Sequence, residues 1–228
     1  SRYCHIPAVR AQIERYLRQV DLVRVYSVAL RDYLEPYNPN VVRVDGPLDW
    51  SLVPETLPEP EDEHVRVIYA TSRLEDEVGP MLIGTMQRVL DTYPETEVVV
   101  WGPRFEALEG LPRARHIPPI YDYDMFFYSF ARQGFDIGLA PLPDDLFHRC
   151  KSNNKFREYA ACGIAGIYSD VDVYRDCVIE DVTGLLVGPG EDDWFDAVAR
   201  LVEDTSLRDY VRKRARGYAR KRYNMKKM

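Results

Sequence analysis

A short basic and polar loop that leads into a predicted helix carries the residues best suited to chemistry. Ser152, Asn153 and Asn154 are residue types favoured at helix N-caps, so the sequence predicts a helix that begins here. The first backbone N–H groups of a helix have no partner within it, and the helix dipole makes this end positive. With Lys151 and Lys155 beside it, this helix end is predicted to bind a phosphate or a diphosphate.

Glu158 lies about one helical turn further along, on the same predicted face as Asn154 and Lys155. A carboxylate at that distance from a phosphate site is well placed to accept hydrogen bonds from the hydroxyls of a ribose. The alternative is a capped surface helix whose lysines are only solvated. We favour a nucleotide-diphosphate pocket, because the segments that follow also fit that interpretation.

Those segments resemble the C-terminal half of GT-B glycosyltransferases. Glu158 is followed by a Tyr-Ala-Ala-Cys-Gly turn that ends at Gly163, then by the predicted strand IAGIYSD, and then by TGLLV from Thr183 to Val187. The resemblance implies a donor-binding domain and the transfer of a sugar from a nucleotide-diphospho-sugar to an unknown acceptor, which is a glycan or a lipid-linked glycan. It implies no cofactor and no metal ion.

The resemblance also assigns residues to parts of the donor. In the loop after the first long predicted strand, Arg73 is expected to contact the diphosphate, although the family often has a Lys where this chain has Val78. A second departure is Cys150, which replaces one of two motif carboxylates and leaves Glu158 as the ribose-binding one. The expected diphosphate-binding set is Arg73, Lys151, Ser152, Asn153 and Lys155, and the expected base-flanking set is Gly102, Ile117 and Tyr121.

The aromatic run from Tyr121 to Phe130 admits two interpretations. Tyr121 could stack on a nucleobase, whereas core packing of an amphipathic helix is the favoured account of the run as a whole. No GxGxxG motif follows the first long predicted strand, which disfavours NAD or FAD, and the sequence has no GxxxxGK motif.

Apolar strands and helices alternate after residue 64, which predicts a doubly wound, Rossmann-like parallel sheet of the α/β class. Before it, the pattern predicts an amphipathic helix over Ile6–Gln19, two short strands and a helix capped by Ser27. The predicted division is a short C-terminal remnant of the N-terminal GT-B domain (1–50), a linker rich in Pro and acid (51–64), the nucleotide-sugar-binding domain (65–205) and a basic C-terminal helix (206–228).

The net charge of −7 conceals a strong asymmetry. The segment from Arg208 to Met228 has ten Lys and Arg residues and one Asp, so the other 207 residues carry a net charge of −16. This basic helix is a candidate for peripheral contact with an anionic membrane, for contact with an acidic domain, or for simple solvation. Nucleic acid is an improbable partner because the rest of the chain would repel its phosphates.

Four scattered cysteines, with no CxxC pair, predict free thiols in a reducing cytoplasm. No apolar run approaches the roughly 20 residues that span a bilayer, and the chain does not begin with the pattern of a signal peptide. Asp170, Asp172 and Asp176 are expected to cap a short helix rather than to bind a metal.

The catalytic residues are not identifiable from the sequence, and the resemblance implies that they lie in the N-terminal domain. Two alternatives therefore remain open. One is a non-catalytic GT-B-like scaffold or binding module, which the departures at Val78 and Cys150 favour slightly. The other is a nucleotide-sugar epimerase or a phosphorylase built on the same fold.

Overall fold

The structure, a computed structural model, describes residues 6–58, 64–72 and 78–224. It divides into two compact units. The first unit comprises residues 1–46 and 144–152, and the second comprises residues 47–143 and 153–228. Arg73, one of the predicted diphosphate ligands, lies outside the described residues.

The second unit is built on a parallel sheet of six strands in the order β5-β4-β3-β6-β7-β8. The residues of its four central strands are mostly apolar and buried, as expected of a sheet covered on both faces. The strands are β3 (Val65–Ala70), β4 (Thr96–Trp101), β5 (Ala114–Ile117), β6 (Ile137–Ala140), β7 (Ala165–Ser169) and β8 (Leu185–Val187).

Helices cover both faces of this sheet, which separates its core into two apolar clusters. Ile68 and Val99 belong to the cluster that contains residues of α4 and α6, whereas Val67 and Val98 belong to the cluster that contains residues of α3 and α8. The helices are α3 (Gly79–Thr92), α4 (Tyr123–Phe130), α6 (Asn154–Ala161), α7 (Asp172–Arg175), α8 (Glu191–Glu203) and α9 (Thr205–Arg222).

The strand order reverses beside β3, the first strand of the sheet in chain order, which pairs with β4 on one side and with β6 on the other. Val67 is opposite Val98 in one pair and opposite Ile137 in the other. In open α/β sheets this reversal creates a crevice at the carboxyl ends of the strands, where ligands bind. The predicted α/β fold with a doubly wound parallel sheet is confirmed.

The first unit contains α1 (Pro7–Gln19), β1 (Val23–Val25), α2 (Val28–Leu34), β2 (Val41–Arg43) and α5 (Leu146–Arg149). β1 and β2 are parallel, with Arg24 opposite Val42. The Asn38 amide donates to the carbonyls of Leu17 (2.8 Å) and Val20 (2.7 Å), which fixes the end of α1. The elements predicted over residues 6–44 are therefore present, including the Ser27 cap, whose hydroxyl accepts from the Leu30 N–H.

The described part of the predicted linker, residues 51–58, packs on the second unit. Trp50–Leu52 forms a 3-10 helix, and Val53 is buried. Arg216 of α9 donates to the carbonyls of Pro54 and Glu55. After this 3-10 helix, residues 53–58 form no helix or strand. A cation from the C-terminal helix satisfies two of their backbone carbonyls.

Helix α9 uses several of its cations to hold the second unit together. Arg208 is buried and donates to the carbonyls at the end of α8, and Arg212 pairs with the buried Asp136 at 3.1 Å. Arg222 pairs with Asp176 at 3.7 Å. Within α9, the exposed basic residues are Lys213, Arg214, Arg220 and Lys221. No helix in the described part of the chain is long and apolar enough to cross a membrane.

Candidate functional site

The first turn of α6 lies at the carboxyl edge of the six-stranded sheet. The helix follows β6 and precedes the parallel strand β7, so its N-terminus is on the side where β6 ends. A chain of contacts agrees with this placement. Trp101, the last residue of β4, packs edge-on against Phe126 with ring centroids 5.4 Å apart, and the Lys155 ammonium lies 5.6 Å from the centre of the Phe126 ring.

The N-cap position of α6 is occupied by Asn153, as the sequence predicted, but its side chain makes no capping hydrogen bond. Its amide instead donates to the Tyr223 hydroxyl at 3.1 Å. The Asn153 side chain therefore does not cap the first turn of α6. The helix is anchored by Arg157, which donates to the carbonyl of Pro47 at 3.0 Å and contacts the side chain of Asn154.

Lys155 and Glu158 form an ion pair on the face of α6 that the sequence predicted, with Nζ 2.8 Å from Oε2. The Glu158 side chain is only 4% exposed, whereas 27% of the Lys155 side chain is exposed. Glu158 is therefore not the open carboxylate that the ribose prediction assumed. In this structure its hydrogen-bonding capacity is partly used by a cation from its own helix.

Helix α4 supplies the aromatic neighbours of this pair. Asp122 caps the helix by accepting from the Met125 N–H at 2.9 Å. Phe127 and Phe130 are buried, as core packing predicted, but Tyr123 is half-exposed and stacks on Phe127. Burial and the negative charge of the nearby Glu158 raise the pKa of Tyr123.

Tyr123 is a candidate site residue that the sequence reasoning did not single out. It lies three, four and seven residues before Phe126, Phe127 and Phe130, so it shares their helix face. That spacing was the available signal, but the contact between this face and α6 is a tertiary feature. Burial, with a further contribution from Glu158, also raises the pKa of Cys162 at the other end of α6.

Two of the predicted base-flanking residues, Gly102 and Ile117, are hydrogen-bonded to each other where β4 and β5 end. The Gly102 N–H donates to the Ile117 carbonyl at 2.9 Å, and a His116 ring nitrogen lies 2.7 Å from the Gly102 carbonyl oxygen. A Cβ on Gly102 would lie 2.0 Å from the Thr71 carbonyl oxygen. Tyr121 is 92% exposed, so its ring is available for stacking.

Lys151 and Ser152 belong to the first unit, whereas Asn153, Lys155 and Glu158 belong to the second. Within the first unit, the Lys151 ammonium lies 5.0 Å from the centre of the Phe147 ring. The structure thus brings Lys155 and Glu158 together at the start of α6. The contribution of Lys151 and Ser152 to the same site stays a prediction.

The described residues contain no group of three or more His, Cys, Asp and Glu side chains that could hold a metal ion. The N-cap of α7 is Val171, so none of the three aspartates expected to cap this helix does so at its N-terminus. Asp176 is instead its C-cap residue, and Asp170, Asp172 and Asp176 are all exposed, as expected. Asp170 instead pairs with Arg175 at 2.6 Å, which lowers the pKa of Asp170.

Three similar solved structures are either longer than this chain or limited to one domain. Sucrose-phosphate synthase from Thermosynechococcus elongatus is 17% identical with a TM-score of 0.69, over 96% of this chain and 58% of that one. Anabaena Alr3699/HepE, solved in complex with UDP-glucose, is 16% identical with a TM-score of 0.71, over 96% of this chain and 65% of that one. The C-terminal domain of the Francisella tularensis glycosyl transferase group 1 protein LpcC is 18% identical with a TM-score of 0.59, over 78% of this chain and 99% of that one.

No protein-family model matches the sequence, and no curated protein matches it. The structural likeness therefore defines the fold. The second unit has the Rossmann-like fold of the C-terminal half of GT-B glycosyltransferases, as the sequence resemblance predicted. The chain spans about three fifths of the length of the sucrose-phosphate synthase and HepE chains.

Proposed function

We propose that this chain binds the nucleotide-diphospho-sugar donor of a glycosyltransferase reaction at the carboxyl edge of its six-stranded sheet. The observation that carries the proposal is the Lys155–Glu158 pair in the first helical turns of α6. A positive helix end and a lysine suit a diphosphate. A carboxylate one turn away suits the ribose. The complex of HepE with UDP-glucose supports a donor of this class.

In this proposal, the diphosphate is bound by Lys155 and the N–H groups that follow Asn153. Arg73, Lys151 and Ser152 add positive charge and hydrogen-bond donors to it, and Gly102, Ile117 and Tyr121 flank the base. The chemical contribution is electrostatic. Negative charge grows on the diphosphate as the bond to the sugar breaks, and fixed cations and N–H dipoles stabilise that leaving group.

The acceptor, the sugar and the general base are not assigned to any residue of this chain. The proposed activity belongs to the whole protein, and we propose for this chain the donor-binding part of it. A cytoplasmic location, predicted from the thiols, stays a prediction.

The test is isothermal titration of UDP, GDP, ADP and their sugars into the purified chain. Glu158→Gln and Lys155→Gln are each expected to weaken nucleotide binding by about tenfold, the cost of one lost charge-assisted hydrogen bond. Lys213→Gln, a change of the same kind on the exposed face of α9, is the matched control. Binding that neither substitution weakens would refute the site, and no nucleotide binding at all would favour the non-catalytic scaffold.

We also propose that the exposed face of α9 contacts an anionic membrane surface. Four cations on this face have no ion pair with any described residue: Lys213, Arg214, Arg220 and Lys221. Each cation near an anionic bilayer contributes about 1 kcal/mol, so the face could hold the protein at a membrane in low salt.

Sedimentation with phosphatidylglycerol vesicles tests this contact. Lys213→Gln with Arg214→Gln is expected to reduce retention by roughly an order of magnitude, since two cations are lost. The matched control is Arg104→Gln with Arg115→Gln, which removes the same charge from exposed residues outside α9. Equal losses in the two variants, or no retention of the wild type, would exclude a membrane role for this face.

A further inference from the structure

The buried state of Glu158 has a consequence for what the site can select. Its side chain is 4% exposed, and its Oε2 atom accepts from the Lys155 ammonium at 2.8 Å. Removing the cation from a buried carboxylate strongly destabilises the folded protein unless other hydrogen-bond donors replace that cation. Lys155 therefore donates to Glu158 the hydrogen bond that we propose for a ribose hydroxyl.

The position of Lys155 also allows its ammonium to move away from Glu158. It is the second residue of α6, so its ammonium can reach the positive helix end where a diphosphate would bind. More than a quarter of its side chain is exposed, and a lysine has a compact charge on four rotatable carbons. A change of rotamer is enough to move the ammonium, without any movement of the helix.

We propose, on the basis of the donor site described above, that the Lys155–Glu158 pair makes this site select ribonucleoside 5′-diphosphates as whole ligands. The diphosphate takes the ammonium of Lys155, and the 2′- and 3′-hydroxyls of the ribose then replace it as donors to Glu158. Lys155 is in this sense a specificity-determining residue that couples the two ends of the ligand.

The coupling follows from what incomplete ligands lack. A nucleoside without phosphate offers hydroxyls, but it has no anion to draw Lys155 away from Glu158. A 2′-deoxynucleoside diphosphate draws Lys155 away, but it replaces the ammonium with one hydroxyl fewer. Buried polar groups left without a partner are costly, so the preference for ribose should be strong only in ligands that carry the diphosphate.

The experiment compares four ligands on the wild-type chain, by calorimetry for the diphosphates and by ligand-observed NMR for the nucleosides. The best binder among UDP, GDP and ADP is tested against its 2′-deoxy form, and the parent nucleoside is tested against its 2′-deoxy form. We expect a ribose preference of about tenfold or more for the diphosphates and within about twofold for the nucleosides. This comparison needs no substitution, so it does not depend on how a variant folds.

A variant then assigns the coupling to Lys155. Lys155→Gln keeps a donor near Glu158 but removes the charge that a diphosphate attracts. We expect it to weaken diphosphate binding and to bring the ribose preference of diphosphates down to that of nucleosides, whereas Lys213→Gln leaves both unchanged.

The outcomes separate this inference from the proposed function. Equal ribose preference with and without the diphosphate in the wild type overturns the coupling while leaving the donor site intact. An unchanged preference in Lys155→Gln overturns the role of Lys155. Absence of binding by every nucleotide overturns the proposed function itself.

Discussion

Tyr159 shows how single residues fix the core beneath the candidate site. It is the residue after Glu158, it is fully buried, and its hydroxyl donates to the Leu139 carbonyl at 2.9 Å. Its ring also lies where a side chain at Gly138 would be, since a Cβ there would come within 2.5 Å of it. One tyrosine thus joins α6 to β6 by a hydrogen bond and by close packing.

Tyr159→Phe should lower the free energy of unfolding by about 1–2 kcal/mol, because the ring is kept but the Leu139 carbonyl loses its side-chain donor in a buried setting. Urea denaturation measures the change. The matched control is Tyr128→Phe, which removes the same hydroxyl from a half-exposed ring on α4 and is expected to stay within about 0.5 kcal/mol of wild type. Equal effects in the two variants would show that the Tyr159 hydrogen bond does not contribute.

At the residue scale, the sequence predicted two local features of α6 but not the burial of its carboxylate. The Asn153 N-cap and the shared face of Lys155 and Glu158 follow from local spacing, and the structure has both. The burial of Glu158 could not be predicted, because Phe126 and Tyr123 come from a helix about 30 residues earlier. Which side chains surround a polar residue is decided by tertiary packing, and no local pattern contains that information.

At the scale of elements, two glycines with opposite roles give a matched test. Gly102 ends β4 with a φ of +145°, and a Cβ there would lie 2.0 Å from the Thr71 carbonyl oxygen. Gly217 is within α9, and a Cβ there would meet no atom within 4 Å. The first glycine is required by the close approach of β3 and β4, whereas the second only weakens its helix.

Gly102→Ala is therefore expected to lower the free energy of unfolding by about 2 kcal/mol or more, because the alanine strains the backbone and displaces the end of β3. Gly217→Ala is expected to raise it by about 0.5–1 kcal/mol through helix propensity and reduced unfolded-chain entropy. Thermal and urea denaturation of both variants measure the difference. The same sign for both changes would contradict this account.

The sequence predicts whether a segment is a helix or a strand better than it predicts the first and last residues of that element. The sequence from Phe135 to Leu142 is mostly apolar, as in a strand, but β6 covers only Ile137–Ala140. The apolar run continues beyond the residues that pair with β3 and β7, since hydrophobic residues at the strand ends also pack in the core. The aromatic run from Tyr121 to Phe130 likewise extends beyond its helix, because α4 begins only after the Asp122 cap.

For the whole molecule, the charge asymmetry has a structural use that the sequence did not reveal. Arg212 of α9 pairs with Asp136, which is 76 residues away in the chain, and also donates to the Gly163 carbonyl. Arg216 and Arg222 satisfy backbone carbonyls of other segments. Part of the positive charge of the C-terminal segment is thus used within its own unit. Composition alone could not distinguish such a helix from a basic helix that is fully exposed.

The whole molecule should also lose stability at alkaline pH, because it buries thiols and phenols in their protonated forms. Burial raises the pKa of Cys177 from an ordinary value of 9.0 to about 12, and it also raises the pKa of Cys162, Tyr159 and Tyr168. Between pH 9 and 12 the unfolded Cys177 releases a proton that the folded protein keeps, so the unfolded state binds fewer protons and stability falls as pH rises.

Each such group contributes a slope of about 1.4 kcal/mol per pH unit in its own window. Urea denaturation from pH 8 to 11 in reductant should show this decline, and Cys177→Ala should reduce the slope above pH 9 by about one group's share. A variant with the wild-type slope would mean that the Cys177 thiol ionises equally easily in the folded and the unfolded chain.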